Sequence, residues 1–180
     1  MDKIYRLYNN YDVISLKNEA DKTIIEGYAA HFGDANLNDE RVNASSFDTF
    51  FTMYDQGKIK PFINYNHQSD KQIGGVDSLV TDSTGLYITA HLNNALPFVK
   101  DWVIPNIEAG DLRSFSTEGF IGGGYDGIIE YEDGTYFVKD FILTAVAVVQ
   151  TPADWKSEFS IANDYRLNKL AGPKSKWYLM

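Results

Sequence analysis

Residues Phe141–Val149 have the sequence FILTAVAVV, in which only Thr144 interrupts a continuous apolar run. An apolar run of this length without alternation predicts a central strand that is buried on both faces. Thr151-Pro152 follows the run and is expected to end the strand, because proline cannot donate to a ladder of hydrogen bonds. The rest of the chain must therefore supply neighbouring strands on both sides.

Several shorter strand patterns lie outside this run, and each is bounded by glycine, asparagine, aspartate or proline. They are Thr23–Ala30, Pro61–Tyr65, Ile73–Val80, Leu86–Leu92, Ser114–Ile121 and Gly127–Tyr131, which forms a hairpin with Tyr136–Val149. Many short strands at close spacing predict a mainly β (α+β) fold. We expect a closed or nearly closed β-barrel, because closure removes exposed edges.

About three peripheral helices are predicted to decorate the barrel. Aromatic residues at i, i+3, i+4 and i+7 indicate an amphipathic helix that packs on the core, with Ser45 or Ser46 as N-cap and Gly57 as its end. A second helix is predicted to begin at Pro97 and to end or kink at Pro105. The third follows Asp154. The aromatic residues of the first helix are Phe47, Phe50, Phe51 and Tyr54.

The 180 residues are expected to form a single domain over residues 1–165, followed by a basic C-terminal tail at 166–180. The net charge of −9, with 25 acidic against 16 basic residues, argues against nucleic-acid binding. No apolar stretch approaches the length of a membrane span, and the N-terminus lacks the apolar region of a signal peptide. The absence of cysteine excludes disulfides and cysteine nucleophiles.

His67 and Ser116 each follow or lie within a predicted strand, in Asn64-Tyr65-Asn66-His67-Gln68 and Leu112–Phe120. A serine hydroxyl needs a base to act as a nucleophile at neutral pH, and imidazole is suited to accept and return the proton. The pair is therefore a candidate for nucleophilic catalysis. The glycine-rich stretch Gly119–Gly124 is a candidate source of backbone donors for an oxyanion, with a simple hairpin loop as the alternative.

The other two histidines, His31 and His91, are expected to be hydrogen-bonded structural residues. Their spacing from His67 matches no zinc signature, and the acidic loop Asp34–Glu40 lacks an EF-hand pattern. We therefore expect no metal and no cofactor.

An ordered set of short segments resembles the tailed-phage prohead (capsid maturation) protease family, whose fold is similar to that of herpesvirus assemblin. The set spans residues 24–153. It consists of Glu26-Gly27-Tyr28-Ala29-Ala30, Asp39-Glu40-Arg41-Val42, Asn66-His67 with Ile73-Gly74, Asp82–Tyr87, Gly110–Ser116 and Val148–Ala153. The resemblance implies a herpesvirus-protease-like barrel in which His67 is the general base and Ser116 forms an acyl-enzyme.

By the same resemblance, the chain is a serine endopeptidase that acts inside a phage procapsid assembling in the bacterial host cytoplasm. Its implied partners are the phage scaffolding protein and the scaffold-like segment of the major capsid protein, with self-cleavage and a homo-oligomer as further expectations. The alternative is a catalytically inactive capsid or scaffold component with the protease fold. A β-barrel binding module unrelated to proteases is a third hypothesis.

Two positions depart from the family pattern. Relatives show Ser-x-Gly-Phe, whereas here Ser116-Thr117-Glu118-Gly119-Phe120 leaves Thr117, and more weakly Ser114, as alternatives to Ser116. Relatives also carry Glu-Val-Ser where this chain has Ala145-Val146-Ala147. The chain must then use another group to orient the histidine, or a dyad without one; we expect Asp140 in that role, with Thr144 as the alternative.

Overall fold

The computed structural model describes the backbone of residues 4–12 and 15–19 and the full structure of residues 21–150. The predicted helix after Asp154 and the predicted boundary between a domain at 1–165 and a basic tail at 166–180 lie outside these residues. Among the helices that are described, none has the length and apolarity to cross a membrane.

Eleven strands form in this part of the chain. In chain order they are β1 Ile4–Asp12, β2 Ser15–Glu19, β3 Lys22–His31, β4 Glu40–Arg41, β5 Phe62–Tyr65, β6 Gln68–Thr81, β7 Gly85–Asn93, β8 Ser114–Ile121, β9 Ile128–Glu130, β10 Tyr136–Val138 and β11 Phe141–Val149. Eight of them form one sheet in the order β1-β8-β11-β5-β6-β7-β3-β2, and β4-β10-β9 form a small second sheet.

Strand β11 lies inside the large sheet, as its sequence predicts. It pairs antiparallel with β8 on one side and parallel with β5 on the other. Every residue of β11 except Thr144 is buried. The strand therefore holds together the two segments that carry His67 and Ser116.

The large sheet curls into a half-barrel, so the prediction of a closed or nearly closed barrel is wrong. In the described residues β1 pairs only with β8 and β2 pairs only with β3, which leaves the order open at both ends. Strand β1 does come within 8 Å of β3, but no ladder of hydrogen bonds joins them. The herpesvirus-protease likeness stays a prediction.

The first predicted helix is present as α1, Asp48–Asp55, which continues from a 3₁₀ turn at Ala44–Phe47. Asn43, not Ser45 or Ser46, caps the 3₁₀ turn: its side chain accepts from the Ser46 N–H, and the Ser46 hydroxyl accepts from the Asn43 N–H in a capping box. Gly57 ends the helix with φ +67°. Phe47 packs edge-to-face on Phe141 of β11, with ring centroids 5.9 Å apart.

The second predicted helix continues through Pro105, where it was expected to end or kink, and it changes its hydrogen-bonding pattern before that residue. A π-helical turn, Val99–Val103, runs directly into α2, Ile104–Glu108. Pro105 then falls in the first turn of α2, where its missing N–H and fixed φ are tolerated. Two α-helices are therefore described, against the three that were predicted, and the third falls outside the described residues.

Candidate active site

His67 lies in a two-residue hairpin turn between β5 and β6. Tyr65 pairs with Gln68, and the two residues between them, Asn66 and His67, have φ of +48° and +60°. Positive φ at both central positions is typical of a type I′ turn, which matches the twist of the strands that it joins. The Asn66 N–H donates to the Val148 carbonyl at 3.0 Å, so the turn is anchored on β11.

Strand β8 presents Ser114, Ser116 and Glu118 on one face, because alternate residues of a strand share a side. Thr117 lies between them and faces the opposite side. Ser114, Ser116 and Glu118 are all buried, and Ser116 is 2% exposed. The strand geometry thus favours Ser116 over Thr117 as the residue on the face of Glu118.

The His67 imidazole contacts the Glu118 carboxylate, with 2.6 Å between Nδ1 and Oε1. Both side chains are largely withdrawn from solvent, at 6% and 11% exposed. A hydrogen bond at this distance between an imidazole and a buried carboxylate fixes the orientation of the ring and favours the tautomer protonated on Nδ1. The other ring nitrogen, Nε2, is also buried.

The register of three strands shows that this contact joins residues on either side of the row of Ser116. Ser116 of β8, Ala147 of β11 and Asn64 of β5 form one row across the sheet. Glu118 lies in the row of Ala145, on one side of that row, whereas His67 follows the end of β5 on the other side. The His67–Glu118 contact therefore passes over the row that holds Ser116.

The spacing along β8 also suits a histidine between a serine and a carboxylate. Residues i and i+2 of a strand are about 6.8 Å apart. That separation is bridged by an imidazole ring and two hydrogen bonds of about 2.8 Å each. The arrangement can thus perform base-assisted attack by a serine, provided that Nε2 turns toward Ser116.

Asn64 completes the cluster from beneath the turn. Its side chain is fully buried, its Nδ2 donates to Glu118 Oε1 at 2.8 Å, and its Oδ1 accepts from the His67 N–H at 3.2 Å. Asn64 belongs to the sequence segment around His67, but no role for it was predicted from the sequence.

The structure does not bring Asp140 to His67. Asp140 precedes Phe141, which pairs with Ile121 at the far end of β8, and its carboxylate lies against Gly122. Asp140 lies seven positions before Ala147 along the chain, which corresponds to roughly 23 Å of extended strand. Thr144 is nearer, but its hydroxyl donates to the Glu118 main-chain carbonyl at 3.2 Å.

The carboxylate that does reach His67 is Glu118, which sequence reasoning missed. The available signal was the alternation Ser116-x-Glu118, which places a carboxylate on the face of the serine. The two alanines of β11 were a second signal, because Ala145 and Ala147 leave room above the strand for side chains from its neighbours to meet.

The glycines of Gly119–Gly124 lie toward the opposite end of β8 from His67. Gly119 is paired on both sides, with Tyr5 of β1 and Leu143 of β11. Gly123 and Gly124 have φ of +73° and +59° and form the turn into a 3₁₀ helix, Gly124–Gly127. The structure thus gives this stretch a strand end and a turn.

The remaining histidines lie in other parts of the sheet. His91 of β7 contacts Asp77 of β6, with 2.6 Å between Nδ1 and Oδ1, as expected for a hydrogen-bonded structural residue. His31 ends β3 beside the Tyr28 ring, with centroids 5.2 Å apart. Within residues 21–150, no three His, Asp or Glu side chains lie together as a metal site requires.

Comparisons with known proteins agree with the family resemblance. Residues 9–169 match the sequence model of the family described as caudovirus prohead serine protease. The fold is similar to the solved structure of the bacteriophage T4 capsid assembly protease, gp21, with a TM-score of 0.61 and 15% sequence identity over 84% of this chain and 100% of that chain. At that identity the structural likeness bears on the fold alone. No protein with a curated description has a significant match to the sequence.

Proposed function

This chain belongs to the caudovirus prohead serine protease family, and we propose that it is the serine endopeptidase of capsid maturation in its phage. In this proposal Ser116 is the nucleophile, His67 the general base and Glu118 the group that orients the base. The observation that carries the proposal is the 2.6 Å contact of His67 Nδ1 with Glu118 Oε1 above the row of Ser116.

The first half of the reaction forms an acyl-enzyme. The Ser116 Oγ attacks the carbonyl carbon of the scissile peptide while His67 Nε2 takes the hydroxyl proton. The resulting imidazolium gives that proton to the leaving amine as the carbon–nitrogen bond breaks. In the second half, water attacks the ester, His67 takes a proton from the water, and the same proton returns to Ser116 Oγ.

Glu118 acts on the base and not on the substrate. Its carboxylate accepts from Nδ1–H, which leaves the lone pair on Nε2 to receive the proton of the serine. When His67 becomes positively charged, the adjacent negative charge stabilises it, and the effect is enlarged because both side chains are shielded from water. This role is the one that the sequence analysis assigns to Asp140.

The proposed substrates are the scaffolding protein and the scaffold-like segment of the major capsid protein, with self-cleavage as a further reaction. Two findings support this substrate class: the family is described as a prohead serine protease, and the similar solved structure is named a capsid assembly protease. The reaction would take place inside the procapsid, as it assembles in the host cytoplasm.

The inactive alternative rests on Ala145 and Ala147, which replace a glutamate and a serine of relatives. Its motivation weakens because Glu118 of β8, the strand beside β11, supplies a carboxylate to His67. We therefore retain the active protease as the proposal.

The proposal is tested by incubating the purified full chain with the scaffolding and major capsid proteins of the same phage. Wild type should cut one or both proteins, whereas Ser116→Ala should leave them intact. Ser114→Ala is the matched control, because Ser114 is buried on the same face of β8 and should retain cutting. Intact proteins with wild type, or undiminished cutting by Ser116→Ala, would refute the assignment.

A further inference from the structure

Asn64 is bound to both members of the His67–Glu118 pair at once. Its amide Nδ2 donates to the same Oε1 atom that contacts the imidazole, at 2.8 Å, and its Oδ1 accepts from the His67 main-chain N–H. A polar side chain that is 0% exposed needs such partners, since a buried polar group without them is costly. The amide therefore joins the backbone of the turn to the carboxylate of another strand.

The donor side of the amide acts on the charge of Glu118. A hydrogen bond from a neutral donor to a buried carboxylate favours its ionised form and fixes one of its oxygens in place. Because that oxygen is also the partner of Nδ1, Asn64 determines where the acceptor for the imidazole lies.

The acceptor side of the amide acts on the turn. His67 has φ of +60°, a conformation in which residues other than glycine carry strain. The hydrogen bond from its N–H to Asn64 Oδ1 stabilises this conformation and aims the side chain back along the sheet, toward Glu118. Losing it would free the turn at the residue that carries the base.

We propose that Asn64 is a positioning residue that locks the His67 turn onto Glu118 and holds the carboxylate ionised and aimed at Nδ1. The catalytic consequence rests on the proposed function, whereas the effect on the His67–Glu118 pair does not. Asparagine suits the position because it alone, among side chains of its size, offers one donor for the carboxylate and one acceptor for the N–H. Aspartate has the same shape but would add a second negative charge and remove the donor.

Removing the donor should change how the pair takes up protons. Without Asn64 Nδ2 the carboxylate is less well stabilised, so that uptake of a proton by the His67–Glu118 pair becomes more favourable. The acid limb of a pH–rate profile, where activity falls as the base is protonated, should therefore move to higher pH. It should move further in Asn64→Asp, which places like charges together.

Asn36 offers a matched control. Its Nδ2 also donates to a glutamate carboxylate, Glu40 Oε2, at 3.1 Å, and its Oδ1 accepts main-chain N–H groups from Asn38 and Glu40. The Asn36–Glu40 pair thus repeats the chemistry of Asn64–Glu118, between the loop before β4 and the first residue of β4, without a histidine. Asn36→Leu should lower stability and leave the active-site measurements unchanged.

The experiment compares wild type with Asn64→Leu, Asn64→Asp and Asn36→Leu in the full chain, by two measurements. The first is the ¹⁵N NMR signature of the His67 ring, assigned with His31→Gln and His91→Gln, which reports the tautomer without requiring activity. The second is the rate at which a fluorophosphonate labels Ser116 as a function of pH.

Wild type and Asn36→Leu should show the Nδ1–H tautomer of neutral His67, and both Asn64 variants should show a mixture. Labelling by the Asn64 variants should be about tenfold slower on the acid side, as expected if the limb moves by about one pH unit. The proposal would be overturned if either folded Asn64 variant kept the wild-type tautomer and an unshifted acid limb of the labelling rate. If Asn64→Leu does not fold, Asn64→Asp decides the question, because it keeps the volume of the side chain. If wild type is not labelled at all, the proposed function fails, while the tautomer still decides the role of Asn64.

Discussion

At the scale of single residues, His67 occupies a position where the backbone favours glycine. Type I′ hairpins commonly place asparagine and then glycine at their two central positions, and here the second of these is histidine with φ of +60°. A side chain in this region costs about 1 kcal/mol relative to glycine. The fold thus accepts local strain at the residue that we propose as the base.

This strain predicts an order of stability among His67 variants. His67→Gly and His67→Ala both lose the imidazole and its contact with Glu118, so both should be inactive. Only glycine relieves the backbone strain, so the free energy of unfolding of His67→Gly should be about 1 kcal/mol higher than that of His67→Ala. In thermal unfolding this corresponds to a Tm difference of about 2–4 °C for a chain of this size.

Asp39, which also has φ of +60°, provides the control for that comparison. Asp39→Gly should likewise be more stable to unfolding than Asp39→Ala, because the same backbone conformation favours glycine. Equal stability of the two His67 variants, with a normal difference at Asp39, would show that the turn is not strained at His67.

The identity of the orienting carboxylate gives a second prediction. Glu118→Gln keeps the shape of the side chain but cannot stabilise an imidazolium, and kcat should fall by about 10³–10⁴-fold. Asp140→Asn, the matched change at the other candidate, should keep wild-type kcat. Steady-state cleavage of the scaffolding protein measures both, and the reverse ranking would favour the role that the sequence analysis gives to Asp140.

Residue types alone predicted part of the candidate site. The motifs around His67 and Ser116 gave a candidate base and a candidate nucleophile, and the structure places one in the turn after β5 and the other in β8 of the same sheet. Glu118 was missed because its partner lies two strands away, and that proximity depends on β11 separating β8 from β5. Sequence order gives no measure of such a distance.

At the scale of elements, β11 carries small side chains where it lies beneath the candidate site. Ala147 lies between Ser116 and Asn64, and Ala145 lies beside Glu118, all of them buried. In the sequence these alanines indicated lost catalytic residues. In the structure their small side chains leave the space through which His67 reaches Glu118.

Filling that space should separate the pair. Ala147→Val should reduce cleavage by at least tenfold, because the added methyl groups would occupy space between His67 and Glu118, and overpacking should cost about 1–3 kcal/mol of stability. Ala90→Val, at a fully buried alanine of β7, should cost a similar amount of stability and keep activity. Urea unfolding and the cleavage assay measure the two effects, and equal activity losses in both variants would contradict the account.

The elements themselves were predictable to different degrees. Continuous apolar sequence identified β11, and the aromatic period identified α1, since both patterns record burial directly. The helix does not end at Pro105, one of the two outcomes predicted there, because a preceding π-helical turn places the proline in a first turn, where it is tolerated. Such a change of hydrogen-bonding pattern leaves no clear trace in residue spacing.

At the scale of the whole molecule, the sheet is open because, in the described part of the chain, its first and last strands each pair with one neighbour. The number and spacing of strands predicted a barrel, but closure requires a ladder between the first and last strands of the order. Strands β1 and β2 hold those end positions, and they form no ladder with each other. A pattern of strands records their number and not the register that would close them.

A hydrogen bond between β3 and the β6–β7 turn should make the stability of the fold depend on pH above pH 10. The Tyr28 hydroxyl of β3 donates to Asp82 Oδ2 in the β6–β7 turn at 2.7 Å. Burial and this hydrogen bond to the carboxylate raise the pKa of Tyr28 from 10.0 to about 12. The unfolded chain therefore loses this proton at lower pH than the folded chain does.

Because the folded pKa is the higher one, the contribution of Tyr28 is fully present below pH 10 and lost as the pH rises to about 12. Tyr28→Phe should be less stable than wild type at pH 8, and the difference should narrow by pH 11. Urea midpoints at the two pH values measure this, with Tyr125→Phe, at an exposed tyrosine, as control. A difference that stays constant or widens would contradict the assigned direction.

The central claim is that Ser116, activated by His67 and held by Glu118, is the nucleophile of this chain. The most direct test is to treat the folded protein with a fluorophosphonate and to locate the adduct by peptide mapping in wild type, Ser114→Ala, Ser116→Ala and Glu118→Gln. We expect one adduct, on Ser116, in wild type and Ser114→Ala, none in Ser116→Ala, and labelling slowed by at least a hundredfold in Glu118→Gln. An adduct on Ser114 or Thr117, or no adduct in folded wild type, would contradict it.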